Sequence, residues 1–259
     1  MMTYSLDNYK LLLELALSKG YNFSGFKDFP KDQGTSIYLR HDVDYSLEMA
    51  LEMGKANHSL GVSGTFFVLL RSQAYNILSS WALEKMRSLL LLNQKIAFHF
   101  ALPFQGTDIK SVRQKILTDF QFLQSEIPKL EPVFSWHNPG YLVGDVASLE
   151  VAGLLNVYTD QFTKETPYFS DSNMRYSHKE FKEIISQANS SLQLLFHPLN
   201  WVAGGDNMKD VFSKTWKYII RECEHEALHN YFYQKAMPLG MPEKVLENFS
   251  QAWRNSIEM

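Results

Sequence analysis

Thr35-Ser36-Ile37-Tyr38-Leu39-Arg40-His41-Asp42-Val43-Asp44 decides how this chain is read. A β-prone run, Thr35 to Arg40, ends in His41, Asp42 and Asp44, which carry imidazole and carboxylate groups. A helical pattern follows from Tyr45 to Leu60 and closes at Gly61. A strand, then chemistry-bearing residues, then a helix is the repeating unit of a parallel α/β fold.

The unit recurs in both directions from that stretch. Val62–Leu70, Lys95–Phe100, Pro132–His137 and Leu192–His197 read as strands, with shorter ones at Val157–Thr159 and Tyr168–Ser170. Helices are expected over Ala74–Leu92, Asp108–Ile127, Val146–Leu154 and Ser177–Ala188. In the second, Val112, Ile116, Phe120 and Leu123 share one face; the last opens with Ser177 and Glu180 at capping-box spacing. An opening helix is capped by Ser5 or Asp7 and ends at Gly20, before a turn-rich stretch from Gly25 to Gly34. From Asn207 onward the pattern is mostly helical, with Val211–Tyr233 and Glu243–Trp253 placed to cover the barrel or form a homodimer interface. About seven strands favour closure into a barrel. An open doubly wound sheet normally carries a Gly-rich turn after its first strand, where this chain has His and Asp.

The 259 residues fit one α/β barrel domain, with a core over about 35–205 and a helical extension over 206–259. Hydrophobic residues at 45% and charged residues at 20% exclude wholesale disorder. Lys plus Arg is 25 and Asp plus Glu 28, a net charge of −3, which argues against a general nucleic-acid partner. No apolar run is long enough to span a membrane. The lone cysteine, Cys223, excludes an intrachain disulfide and a CxxC metal knuckle. The opening Met1–Asp7 lacks the basic and apolar runs of a secretory signal, so a cytoplasmic location is expected.

The histidines are unevenly placed. His41, His99, His137 and His197, half of the eight, stand at the ends of expected strands beside Asp42 and Asp44. In parallel barrels that end carries the active site. Taken singly, each has an ordinary reading: a strand-end His as a hydrogen-bonded structural residue, Asp44 as a helix N-cap. Together, Asp and His ligands suit zinc or another first-row divalent ion. Such an ion with a carboxylate base and a histidine acid makes an amide or ester hydrolase. The chain has no Gly-x-Ser-x-Gly elbow. His225 and His229 are spaced i, i+4 but lack a third partner, and read as a solvated helix face.

Five segments, in order, resemble the polysaccharide deacetylases of the NodB-homology type. They are Leu39–Asp44, Gly61-Val62-Ser63-Gly64-Thr65-Phe66-Phe67, Ile96–His99, Ser135-Trp136-His137-Asn138-Pro139-Gly140-Tyr141, and Leu194–Pro198. The resemblance spans about Ile37 to Trp201. With Ser170-Asp171-Ser172-Asn173, the segments look like a branch found with genes for cell-surface polysaccharide, including O-antigen. It implies a distorted (β/α)7 TIM-like barrel and a metal-dependent hydrolase removing an N-acyl group from an amino sugar or glycan precursor.

The pattern departs from the family at three points. Pro103 stands where a second metal histidine is usual, Asp42-x-Asp44 replaces adjacent aspartates, and His137 occupies the usual arginine position. The resemblance, so adjusted, implies Asp44, His99 and His137 as ligands to zinc, nickel, cobalt or iron. Asp42 is then the base and His197 the acid; the roles of Asp42 and Asp44 are interchangeable at this point. Arg40, His41, Asn138, Asp171 and Asn173 are expected to contact substrate. Arg175 is expected to orient the base or hold an acidic sugar. Trp136, Tyr141 and Trp201 are expected to stack on a sugar ring. A non-catalytic glycan- or partner-binding barrel and a hydrolase of small cyclic amides or imides remain as alternatives.

Overall fold

The computed structural model describes residues 4–29, 35–102, 108–138 and 146–257. The chain runs α1 (Leu6–Ser18), β1 (Asn22–Phe23), β2 (Ser36–Val43), α2 (Leu47–Ser59), β3 (Thr65–Leu69), α3 (Ser80–Leu91), β4 (Lys95–Ala101), α4 (Ile109–Glu126) and β5 (Leu130–His137). It continues with β6 (Leu155–Asn156), α5 (Asp160–Thr163), β7 (Tyr168–Ser170), α6 (His178–Gln187), β8 (Leu192–Leu195), α7 (Met208–Ala227), α8 (Tyr231–Ala236) and α9 (Glu243–Ile257).

All strands pair in parallel, in the order β6-β5-β4-β3-β2-β8-β7, with β1 added against β2. The sheet curls into a half-barrel flanked by helices. Among the described residues β6 and β7 do not pair, so the barrel is not fully closed. Across that gap the rings of Tyr158 and Tyr168 meet edge to face at 6.3 Å.

Every residue of β2 is buried, because both faces of a wrapped parallel sheet are covered. Alternation then decides which side chain goes where. Ile37, Leu39 and Val43 point outward into the large core between sheet and helices, together with Phe66, Val68, Phe98, Phe134 and Trp136. The opposite face packs Tyr38, Phe67, Ala97 and Val133 into a smaller inner core, closed by Phe26, Val157 and Phe162. Phe162 is sealed in by rings of Phe26, Phe29 and Tyr38 at 5.3, 4.9 and 5.8 Å.

Helix starts are capped by side chains, although α2 is capped by Ser46 and not by the expected Asp44. Ser46 accepts from Met49 N–H, Asp108 from Ser111 N–H, and Ser177 with Glu180 forms the complete capping box. Two helix expectations fail, and the helix expected over Val211–Tyr233 is broken after Ala227, with Asn230 capping α8. Val146–Leu154 is a set of turns closed by a bridge between Val151 and Leu154, with Gly153 at φ 77°. Its apolar spacing imitates a helix, but that left-handed glycine turns the chain. The helix expected from Ala74 begins only at Ser80. Upstream, Ser72 Oγ accepts from the N–H groups of Ala74 and Tyr75, and Asn76 Oδ1 from Leu78 N–H, which competes with helix formation.

α7 packs against α2, α9 and the π-turn Leu199–Ala203. Gly204, at φ 66°, ends that turn, where a Cβ would meet Tyr4 O at 2.9 Å. No helix of the described residues is long and apolar enough to cross a membrane.

Candidate metal centre

The C-terminal ends of β2, β4, β5 and β8 converge, and they bring four of the expected residues together. Asp44 follows β2 directly. Its Oδ1 lies 3.3 Å from His99 Nε2 on β4 and 3.2 Å from His137 Nδ1 at the end of β5. One ligand atom from each of these three residues lies within 4.8 Å of the others. The two imidazole rings stand nearly perpendicular, 5.2 Å apart. On the other carboxylate oxygen, Oδ2, His197 Nε2 is 3.9 Å away.

This set fits a divalent metal. Asp44 Oδ1 is buried, and among the described residues no well-aligned hydrogen bond reaches it, although two ring nitrogens lie within 3.3 Å. Such an atom is costly unless something positive sits beside it. One carboxylate oxygen and two imidazole nitrogens are the donors that first-row divalent ions take. Burial works to raise the Asp44 carboxyl, but the facing nitrogens of His137 and His99 outweigh it and hold the group well below its usual range. The rings are braced from behind. His99 Nδ1 is 2.7 Å from Ser135 Oγ, and His137 Nε2 is 2.8 Å from the Asn138 side-chain amide. Ser135, as acceptor, fixes the tautomer that leaves His99 Nε2 free for a metal, whereas the Asn138 amide nitrogen, a donor, holds His137 by its accepting Nε2.

Asp42 stands next to the triad, on the same inner face of β2. Arg40, two residues back and therefore on that face, donates from Nε to Oδ1 at 2.8 Å and from Nη2 to Oδ2 at 2.7 Å. The guanidinium itself lies 4.7 Å above the Tyr158 ring. Asp42 Oδ2 is 3.6 Å from His99 Nε2. Burial favours its neutral form, but the charges of Arg40 and His99 prevail and keep Asp42 ionised below its usual pKa.

His197 follows β8 and closes the opposite side. Its Nδ1 is 2.5 Å from Asp171 Oδ1, and its backbone N–H also donates to Asp171. Trp201 Nε1 donates to Asp171 Oδ2 at 2.8 Å, so that carboxylate is fully buried and fixed. Burial lowers the His197 pKa, yet Asp171, with smaller help from Asp44 and Asp42, carries it up to about 9.

Other expected contacts fall elsewhere. Arg40 is buried against Asp42 and out of a substrate's reach; it tethers the carboxylate. His41 sits on the outer face, with Nδ1 3.0 Å from Phe196 O and Nε2 3.2 Å from Asn57 Nδ2, and burial pushes its pKa down to about 4. Gly64 makes room for that ring, since a Cβ there would lie 2.8 Å from His41 Nε2. Trp136 is on the outer face too, buried, with its indole N–H on Ala147 O, and Trp201 is buried on Asp171; neither offers a face to a sugar. Asp171 is enclosed and bonds His197, so it orients that ring. Asn173 and Arg175 are exposed, and among the described residues neither bonds to the cluster. It is Arg40, and not Arg175, that pairs with Asp42. Asn138 braces His137. Tyr141 and Pro103 lie outside the described residues. His225 and His229 are exposed, but only His225 lies on α7; His229 stands in the turn after it, so the expected shared helix face is not formed.

Two contributors were not anticipated. Ser135 was legible, lying two residues before His137 and so on its face. Trp216, on α7, lines the cleft beside Asp44 and His137 and carried no local signal. No protein-family model matches the chain, and no curated protein matches it.

Proposed function

We propose that this chain is a metal-dependent hydrolase of the polysaccharide deacetylase type, built on a distorted (β/α)7 barrel. Its substrate would be an N-acylated amino sugar or glycan precursor for cell-surface polysaccharide. One observation carries the reading: a carboxylate–imidazole–imidazole cluster flanked by an Arg-tethered carboxylate and an Asp-tethered imidazole. Neither the fold nor the triad alone would distinguish hydrolysis from metal storage.

Asp44, His99 and His137 would hold the ion, which when bound polarises an acyl carbonyl and lowers the pKa of water towards about 7. Asp42 accepts the proton of the attacking water, and Arg40 keeps that carboxylate ionised and aimed. His197 donates a proton from Nε2 to the departing nitrogen while Asp171 holds Nδ1. The C–N bond breaks as the water oxygen joins the acyl carbon, leaving a free amine and acetate. The motive for a binding-only barrel was the missing second histidine, and His137 offers a third donor in its place.

Acetate release from a panel of N-acetyl sugars, nucleotide sugars and one cyclic imide tests the reading. Metal-replete protein is expected to turn over an N-acetyl sugar, and Asp42→Asn to slow it by roughly 10²- to 10⁴-fold. No release from any sugar, with Asp42→Asn indistinguishable, would reject it.

A further inference from the structure

The cleft beside the triad has a wall that neither the ligand set nor the proton-transfer pair uses. It encloses about 430 Å³ and is lined by Asp44 and His137, and also by Arg71, Ala74, Trp216 and Ile219. Trp216 and Ile219 come from α7, which reaches the site from the far end of the chain. The Trp216 indole nitrogen is buried and has no hydrogen-bond partner among the described residues. An indole N–H only donates, so an acceptor brought by a ligand would complete it.

Arg71 adds charge. Its two terminal nitrogens grip Asp119 in a bidentate pair, and Lys115 Nζ lies 2.7 Å from the same carboxylate. Two cations share one buried anion, so the Arg71–Lys115–Asp119 group carries a net charge of +1, while the Asp44 carboxylate lines the same cleft. The Arg71 side chain is still 51% exposed, held in place but not neutralised. The half-exposed Arg71 guanidinium and Trp216, whose indole N–H is a donor, line one cleft, and donors of this kind suit an oxyanion on a ring-shaped ligand.

We propose that Arg71 and Trp216 form a subsite for an anionic group on the sugar, making the substrate an acidic amino sugar. This rests on the hydrolase reading for the choice of sugar. The oxyanion is either a ring carboxylate or a phosphate on the anomeric oxygen, since both offer the same acceptor chemistry.

Calorimetric titration of the zinc-loaded full chain separates these cases. The probes are N-acetylglucosamine, its C6 acid, and its 1-phosphate. One acidic sugar is expected to bind at least about tenfold tighter than the neutral one. The one that gains names the source of the charge. Arg71→Met is expected to abolish the preference. Trp216→Phe, which keeps an aromatic ring and removes only the donor, is expected to reduce it; this variant carries the test if Arg71→Met unfolds. Equal binding of all three sugars overturns the proposal, as does a preference that survives both substitutions, the behaviour of an anion held by zinc alone. Binding is read without turnover. A chain that prefers the acid through Arg71 but frees no acetate keeps the subsite and loses the hydrolase. One that frees acetate from neutral and acidic sugars alike, unaffected by Arg71→Met, does the reverse.

Discussion

His137 Nδ1 stands 3.2 Å from Asp44 Oδ1, although β5 and β2 are separated in the sheet by β3 and β4. The curl of the sheet brings them together, because inward-facing strand ends converge as it wraps. The three groups that could hold a metal therefore come from the ends of three different strands. Ser135 is the support of this arrangement through His99 Nδ1. Ser135→Ala is expected to weaken zinc binding by roughly 10- to 100-fold with the fold intact. A competition titration with a chromogenic chelator measures it.

His197 needs its proton to serve as the acid, and its pKa is held up at about 9 against burial, chiefly by Asp171. The rate should therefore fall as pH rises through about 9. Asp171→Asn removes the largest support, so the falling limb should move to lower pH. An unmoved limb in a kcat/KM profile would separate that limb from His197.

Glu222 on α7 accepts from Ser46 Oγ and from Glu48 N–H at the start of α2. Burial raises its pKa to about 7 from 4.5, those donors only partly opposing it. The folded chain therefore holds this proton over a pH range where the unfolded chain has lost it. Stability owed to the group is complete below pH 4.5 and declines as pH rises to about 7, by on the order of 3 kcal/mol. Glu222→Gln lacks that titration, so its stability relative to the parent should rise between pH 4.5 and 8. Urea midpoints at both ends check the sign.

Phe162 plugs the inner core with no exposed surface. Phe162→Ala should cost about 3–5 kcal/mol in denaturant unfolding. The zinc stoichiometry of the folded variant should not change, because the ring lies in the inner core and not among the ligands.

Much of this was readable from alternation alone. Arg40 and Asp42 lie two apart on β2, Ser135 and His137 two apart on β5, and each pair shares the inner face. The same rule sends His41 and Trp136 outward, where they are found; treating every polar or aromatic strand-end residue as a site residue put them on the wrong side. Trp201 lies in a π-turn, where period two gives no guidance, so its bond to Asp171 was illegible. Trp216 reaches the cleft only through packing of α7 against α2 and the π-turn, a long-range event with no local pattern. The cleft-lining loop before α3 was hidden because side-chain bonds from Ser72 and Asn76 override a helical pattern.

Metal content tests the central claim most directly. Parent protein, His99→Ala and His137→Ala would each be loaded with zinc, dialysed and measured by plasma mass spectrometry. About one zinc per parent chain is expected, with loss from both variants. A parent that takes up no metal, or a His137→Ala variant that keeps a full equivalent, would contradict it.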